Sequence, residues 1–401
     1  MVTPIDRNRM RSMNQNVLLN LIRAHAPVSR LQLATLSGLS TGTVVSIVSE
    51  LLKHQIVIEQ GIADSPLGRK AGLIELNPEG GYVIGLSLVE DDRIAVVLLN
   101  LLGEIVSSSG WNAPMRDHAD IAVQIIAEKV NAFLLQCEVP RSKILGLGCG
   151  LPGNVNARTG RSVDNWIHNW HDLSISSPLS QALNMPVFID NVVNCLGSYA
   201  RLFGDGKQYQ DFLVITLGWG VGMAMIINGD LYRGARGSGG EFGHIPIVPA
   251  GRRCECSKRG CLEAYVADHG LLKSYHELCL THPDDPSFSP GLSLSAIHAA
   301  AQQGNEALHA IFTEAGELLG TALATMINIL NPECILITGN AVHQDNLIFS
   351  SMHDALSEHV FSQLGEDLPI LIKPTTDDSW AQGAGSLVLR RFFLSSLQVQ
   401  V

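Results

Sequence analysis

The sequence predicts a small, mostly α-helical winged head followed by a larger α/β body. From Asn14 to His54, apolar residues recur at helical spacing on either side of a glycine turn. After Asn77-Pro78-Glu79-Gly80 the pattern changes to strands alternating with helices. One histidine and three cysteines then gather within eighteen residues, from His244 to Cys261.

The head reads as a helix-turn-helix. Val17, Leu18, Leu21 and Ile22 mark a first helix, which Pro27 ends because it has no N–H to donate. Ser29 is a suitable N-cap for a second helix carrying Leu31, Leu33, Ala34 and Leu36. Gly38 supplies the turn, and Ser40 or Thr41 caps a third helix with Val44, Ile47, Val48, Leu51 and Leu52 inward. The N-terminal end of that third helix is the part that enters a major groove, so Ser40, Thr41 and Thr43 are candidate contacts to double-stranded DNA. Two short strand-like runs follow, with Arg69 and Lys70 at the tip of the wing between them.

Charge agrees with this division. Residues 1–80 hold 8 Lys and Arg against 6 Asp and Glu, and the remainder 19 against 32. A slightly basic head on an acidic body suits a nucleic-acid-binding module carried by a regulatory domain. The 401 residues are enough for two or three domains, and 46 % hydrophobic against 16 % charged residues allows sizeable cores. No apolar run reads as a membrane span or a signal peptide. Five of the eight cysteines are scattered singly, as in a reducing compartment, which places the chain in the cytoplasm.

In the body, the runs 82–89 and 93–100 read as a hairpin, and Ile121–Leu135 as a helix. ILGLGCGLPG is a strand entering a turn, and VFIDNVVN reads as another strand. FLVITL and GMAMIING form a further hairpin, Cys334–Thr338 a late strand and Ala381–Phe393 a closing helix. The C-terminal LVLRRFFLSSLQVQV leaves dimer packing, membrane contact and lobe closure open. Asn165, Trp166, Asn169 and Trp170 read either as core packing or as a loop closing over a ligand.

His244, Cys254, Cys256 and Cys261 form the most specific constellation. One imidazole and three thiolates are a tetrahedral zinc set, and four protein ligands make a closed, structural site rather than a hydrolytic one. Gly260 lets the chain turn back so that Cys261 reaches the metal.

These segments together resemble the ROK family, which groups bacterial sugar kinases with repressors of the NagC, Mlc and XylR type. The resemblance rests on LPG at 151–153, DNVVN at 190–194, LGWGVG at 217–222, NGDLYRGARGSGGEFGH at 228–244 and CECSKRGCLE at 254–263. It implies an actin-like, ribonuclease-H-like pair of lobes with a sugar between them. The expected domains are a winged helix-turn-helix at 1–80, a first lobe at 81–193 plus 383–401, and a second lobe at 194–382. That second lobe is expected to carry the zinc site and a dimerisation surface. The resemblance also implies that Asn191, Glu241, His244 and Glu263 contact the sugar, with support of the zinc loop as the alternative role of the two glutamates.

The kinase chemistry of the family looks lost. Its general-base aspartate position holds Val192, which cannot take a proton. Ser87, Val89 and Glu90 occupy the first phosphate loop, where Glu90, Asp91 and Asp92 would repel a polyanion. Trp219 occupies the second loop, and the adenine-side glycines read Thr338-Gly339-Asn340. The resemblance therefore points to a non-enzymatic regulator of carbohydrate genes, a homodimer or tetramer released from its operator by a sugar or sugar phosphate. Two alternatives are a sugar kinase with an accessory DNA-binding head and a regulator released by a phosphotransferase-system protein.

Overall fold

The computed structural model describes residues 7–63, 71–88, 92–283, 288, 291–342 and 347–394. The chain divides into two compact units, Met1–Phe203 with Asp377–Val401, and Gly204–Thr376.

The head opens the first unit. Helix α1 spans Arg7–His25 and is followed by strand β1 (Val28–Ser29), α2 (Arg30–Ser37) and α3 (Thr41–Lys53). Leu18, Leu19 and Ile22 are buried in α1, while Val17 faces outward. Ser29 caps α2 in a reciprocal pair: its Oγ accepts from the Gln32 N–H at 3.3 Å, and Gln32 Oε1 accepts from the Ser29 N–H at 2.9 Å. Gly38 (φ 68°) closes α2 by donating to the Ala34 carbonyl. The wing is the antiparallel pair β2 (Val57–Ala63) and β3 (Ala71–Leu76), with β1 beside β3. Arg69 and Lys70 lie outside the described residues.

The rest of the unit is built on a sheet in the order β11-β7-β4-β5-β6. Strands β4 (Tyr82–Leu88), β5 (Arg93–Asn100) and β6 (Ile105–Asn112) run antiparallel. Helix α4 (Ala119–Gln136) leads to β7 (Ile144–Leu151), parallel to β4. A small hairpin sheet, β8 (Asn154–Asn156), β9 (Arg161–Asn165) and β10 (Trp170–Ser174), precedes α5 (Ser176–Leu183). Strand β11 (Val187–Asn191) then pairs parallel with β7, and α6 covers Val192–Leu202.

The second unit repeats this topology. Strands β12 (Phe212–Leu217), β13 (Val221–Ile227) and β14 (Asp230–Tyr232) run antiparallel, followed by short α7 (Glu263–Val266), α8 (Asp268–Thr281), α9 (Leu294–Gln302) and α10 (Glu306–Leu330). Strand β15 (Cys334–Gly339) lies parallel to β12, and α11 (Ile348–His359) connects it to β16 (Ile370–Pro374). The order β14-β13-β12-β15-β16 mirrors that of the first sheet, and such a repeated ribonuclease-H-like unit is what the actin-like expectation requires. By length and composition α10 passes as a membrane span, contrary to the sequence reading, yet Leu319, Ala322 and Leu323 are fully buried in this unit's core. Helix α12 (Asp377–Leu394) returns to the first unit.

The structure corrects the expected boundaries. The chain leaves the first unit after Phe203 rather than near residue 193, because α6 packs on α12 and β11. It returns at Asp377 rather than at residue 383. The segment VVN at 192–194 is helical, not part of the preceding strand. The head is not a separate unit either. Leu18, Leu33, Val48 and Leu51 share one hydrophobic cluster with Val97 and Leu99 of β5 and with Val388, Phe392 and Phe393 of α12. The C-terminal apolar stretch, as far as Leu394, therefore serves intramolecular packing.

Trp170 is core rather than lid. It is fully buried, and its Nε1 donates to the Met115 carbonyl at 2.9 Å. His168, 1 % exposed, lies against the same indole. Burial pushes its pKa down to about 4, with Asp92 opposing and Arg116 adding to the shift. The folded chain thus holds His168 neutral while the unfolded chain takes up a proton below about pH 6.5. Stability from this residue is present above that pH and is lost as pH falls from about 6.5 to about 4, by about 3 kcal/mol in total. Denaturant titrations across this range should show a shallower pH slope in His168→Leu than in the wild type. Equal slopes would contradict the assignment.

Candidate functional site

The candidate metal ligands are brought together by one excursion after the β13–β14 hairpin. A single 3-10 turn, Phe242–His244, presents the imidazole. The chain then forms a knuckle in which Cys254 N–H donates to the Lys258 carbonyl at 2.9 Å and Ser257 N–H to the Cys254 carbonyl at 3.0 Å. Gly260 reverses the chain with φ 78°, and a Cβ there would meet the Val248 carbonyl oxygen at 1.8 Å. Only glycine fits this position, as the sequence suggested. Arg252 ties the knuckle to α8 by bonds to Ser274 (2.8 Å) and Glu277 (2.7 Å), and its guanidinium lies 4.6 Å from the Tyr265 ring centroid. Sequence reasoning missed Arg252 and Tyr265, since nothing in their spacing marks them.

One ligand atom from each of His244, Cys254, Cys256 and Cys261 lies within 4.8 Å of all the others. Cys254 Sγ is 3.7 Å from His244 Nδ1, and Cys256 Sγ is 3.6 Å from Cys261 Sγ. A tetrahedron of thiolates about 2.3 Å from an ion has edges of about 3.8 Å. The donor set and its spacing therefore fit a closed metal site. Burial pushes the Cys254 and Cys261 thiols up, so without an ion they hold their protons at neutral pH.

Glu263 is buried at the start of α7. Its Oε2 accepts from the Val221 N–H at 3.1 Å, and its Oε1 lies 3.9 Å from His244 Nδ1. It thus links the cluster to the Gly218–Gly222 turn. Glu241 lies three residues before His244 on the exposed side of the 3-10 turn's start. Burial of its surroundings is the largest effect pushing its pKa up, with His244 opposing and Glu263 reinforcing.

Asn191 belongs to the first unit and is partly committed. As N-cap of α6, its Oδ1 accepts from the Val193 N–H at 2.8 Å and its Nδ2 donates to the Gly153 carbonyl at 2.9 Å. Asp190 is fully buried and accepts from Asn191 N–H at 2.9 Å and Asn194 Nδ2 at 3.0 Å. Val192 opens α6 with no ionisable group at that position.

The segments that the family resemblance assigns to the phosphate loops also have local structure. Ser87 is buried, and its Oγ has no partner among the described residues. Val89, Glu90 and Asp91 lie outside those residues. Asp92 accepts from the Met115 and Arg116 N–H groups at 2.9 and 3.0 Å. Trp219 is 38 % exposed and rests against His269, whose Nδ1 lies 2.8 Å from the Trp219 carbonyl. Asn340 Oδ1 accepts from the Thr375 hydroxyl at 3.2 Å.

At the head, Ser40 Oγ accepts from the Thr43 N–H at 3.2 Å and lies 2.9 Å from Thr43 Oγ1. The Ser40 hydroxyl therefore caps α3, and the Thr43 hydroxyl pairs with it. Thr41 is exposed, and Val45, Ser46 and Ser49 share the outward face. The last three were not among the sequence candidates, though helical spacing from Thr41 points to them. Ser40→Ala should cost about 1 kcal/mol of stability as a lost cap, whereas Ser40→Gly should cost only a few tenths. Chemical unfolding monitored at the head distinguishes the two, and equal losses would mean the hydroxyl does not cap.

A winged helix-turn-helix on two ribonuclease-H-like units, the second carrying a cluster of one histidine and three cysteines spaced to hold a metal ion, defines the class. The chain belongs to the ROK family, whose profile matches residues 89–391. It is similar to the xylose repressor of Bacillus subtilis, 29 % identical over 388 residues, spanning 96 % of this chain and 97 % of that one. Its fold is similar to that of a ROK family transcriptional regulator, a homologue of the E. coli MLC protein, with a TM-score of 0.83 at 23 % identity over 96 % of this chain and 97 % of that one. It is also similar to a ROK family glucokinase from Streptomyces griseus solved with glucose and AMPPNP. That TM-score is 0.65 at 23 % identity, over 77 % of this chain and 99 % of the other.

Proposed function

We propose that this chain is a sugar-responsive transcriptional repressor of carbohydrate genes, without phosphotransfer activity. The observation that carries the reading is the winged helix-turn-helix, whose core is continuous with a ROK body. Full-length similarity to a xylose repressor supports it. The outward face of α3, with Thr41, Ser40 and Thr43 at its N-terminus, enters the major groove, and Arg69 and Lys70 contact phosphates from the wing. A homodimer, or a tetramer built from dimers, places two heads on a palindromic operator.

The metal is zinc, held by His244 Nδ1 and the three thiolates. When bound, it crosslinks the loop between residues 244 and 261 and does no chemistry on the ligand. Holding Nδ1 leaves His244 Nε2 for a sugar hydroxyl, beside the Glu241 carboxylate. Glu263 fixes the loop from behind and can accept one further bond. Sites of this kind prefer ligands whose hydroxyls satisfy every buried polar group. With Val192 at the base position, a bound sugar keeps its hydroxyl protons and no phosphoryl acceptor is generated.

The test is selection of genomic DNA fragments on the purified full chain at low salt. Elution then follows with D-xylose, D-glucose, N-acetylglucosamine and the 6-phosphates of the two hexoses. Retention of specific fragments and their release by one sugar are expected. Failure to retain specific DNA at low salt, where phosphate contacts are strongest, would overturn the repressor reading. ATP-dependent phosphorylation of D-glucose or D-xylose would overturn the claim of lost kinase chemistry.

A further inference from the structure

Arg23, on the inner side of α1 in the head, reaches out of the head altogether. Its Nη1 donates to the carbonyl of Leu202, the last residue of α6 and 179 positions away in sequence. Its Nε and Nη2 bond Asn20 Oδ1 at 3.2 and 2.8 Å, which locks the guanidinium to its own helix. The same cation lies 5.9 Å from the ring centroids of both Phe203 and Phe393. Phe203 is the last residue before the chain passes to the second unit. Its ring also packs against Gly103, where a Cβ would meet it at 2.8 Å, and meets the Phe393 ring edge-on. Burial and the charge of Arg201 push the Arg23 pKa down to about 10, so it remains a cation at neutral pH.

The other end of α6 carries Asn191 as its N-cap. One 11-residue helix therefore joins a proposed sugar contact to the point where the chain changes unit, and Arg23 grips it there. We infer that Arg23 is a positioning residue that couples α6 and the unit crossover to the DNA-binding head. A displacement of the Leu202 carbonyl or the Phe203 ring moves a guanidinium anchored to α1. Helix α1 in turn shares its core with α2 and α3. The planar guanidinium suits the role, because it bonds a carbonyl, an amide oxygen and two ring faces at once, which an ammonium does not. This inference rests on the repressor reading above.

The test compares the full-length wild type with R23Q and R23K. Each is measured for affinity to the selected operator fragment with and without a mixture of D-xylose, D-glucose, N-acetylglucosamine and the two hexose 6-phosphates. The wild type should weaken on DNA by about 5–150-fold with the mixture, the ordinary range of coupling. In R23Q, sugar-free operator affinity should persist while that factor falls to roughly 2-fold. R23K keeps the charge and the fold and should also lose most of the response. A merely structural Arg23 would lower the melting temperature of both variants and leave the fold-change intact. That result, in R23K alone if R23Q does not fold, overturns the inference. A wild type that binds operator but ignores the mixture, or binds none, sinks the parent reading, and this inference with it.

Discussion

Replacing Cys256 with serine is expected to abolish stoichiometric zinc and the response to sugar, while operator binding persists. Cys256 is the half-exposed cysteine of the cluster, so its loss leaves no large apolar cavity and reports mainly on the metal. A closed zinc site of this type contributes about 10–16 kcal/mol of apparent binding free energy at neutral pH, and that energy is folding energy for the segment it crosslinks. With three ligands left, the loop between His244 and Cys261 is held by its turn hydrogen bonds and by the contacts of Arg252 with Ser274, Glu277 and Tyr265. Glu241 and His244 then lose their fixed placement. The head lies in the other compact unit and keeps the core it shares with β5 and α12. Elemental analysis should find well under one zinc per chain, and calorimetry should show the second unit melting earlier. A variant free of metal that still releases operator fully with sugar would refute the role given to this loop.

Phe393→Ala should strongly destabilise the first unit. The side chain is fully buried, meets Phe392 and Phe203 edge-on, and lies in the cluster that the head shares with β5. Truncating a buried phenylalanine costs about 3–5 kcal/mol in transfer and cavity terms. Because that core is common, the head and the first sheet should lose stability together and melt in a single transition. Separate probes in the head and in β4 to β6 would decide this. If the head signal is unmoved while the sheet is weakened, the shared core is not a cooperative unit.

Much of the site was legible because it is local. The four ligand types sit within eighteen residues, and Gly260 marks the reversal that closes them. The helix-turn-helix was legible for the same reason: Ser29, Gly38 and Ser40 act on backbone groups within four residues of themselves. Corrections came wherever a distant segment intervened. Val192 to Asn194 read as strand because VFIDNVVN is apolar and β-branched, yet the Asn191 side chain turns the chain into a helix at once. Trp170 kept two readings until its indole N–H was seen to bond Met115, 55 residues earlier.

By itself, the sequence determined the alternation of elements, the caps and turns, and the candidate metal ligands, all set by backbone sterics and short-range hydrogen bonds. Only the tertiary structure decided that the head has no core of its own apart from β5 and α12. It alone decided that α6 belongs to the first unit, and that Arg23 reaches Leu202. Those arrangements come from burying apolar surface between segments far apart in the chain, and local spacing does not record which distant face will cover which.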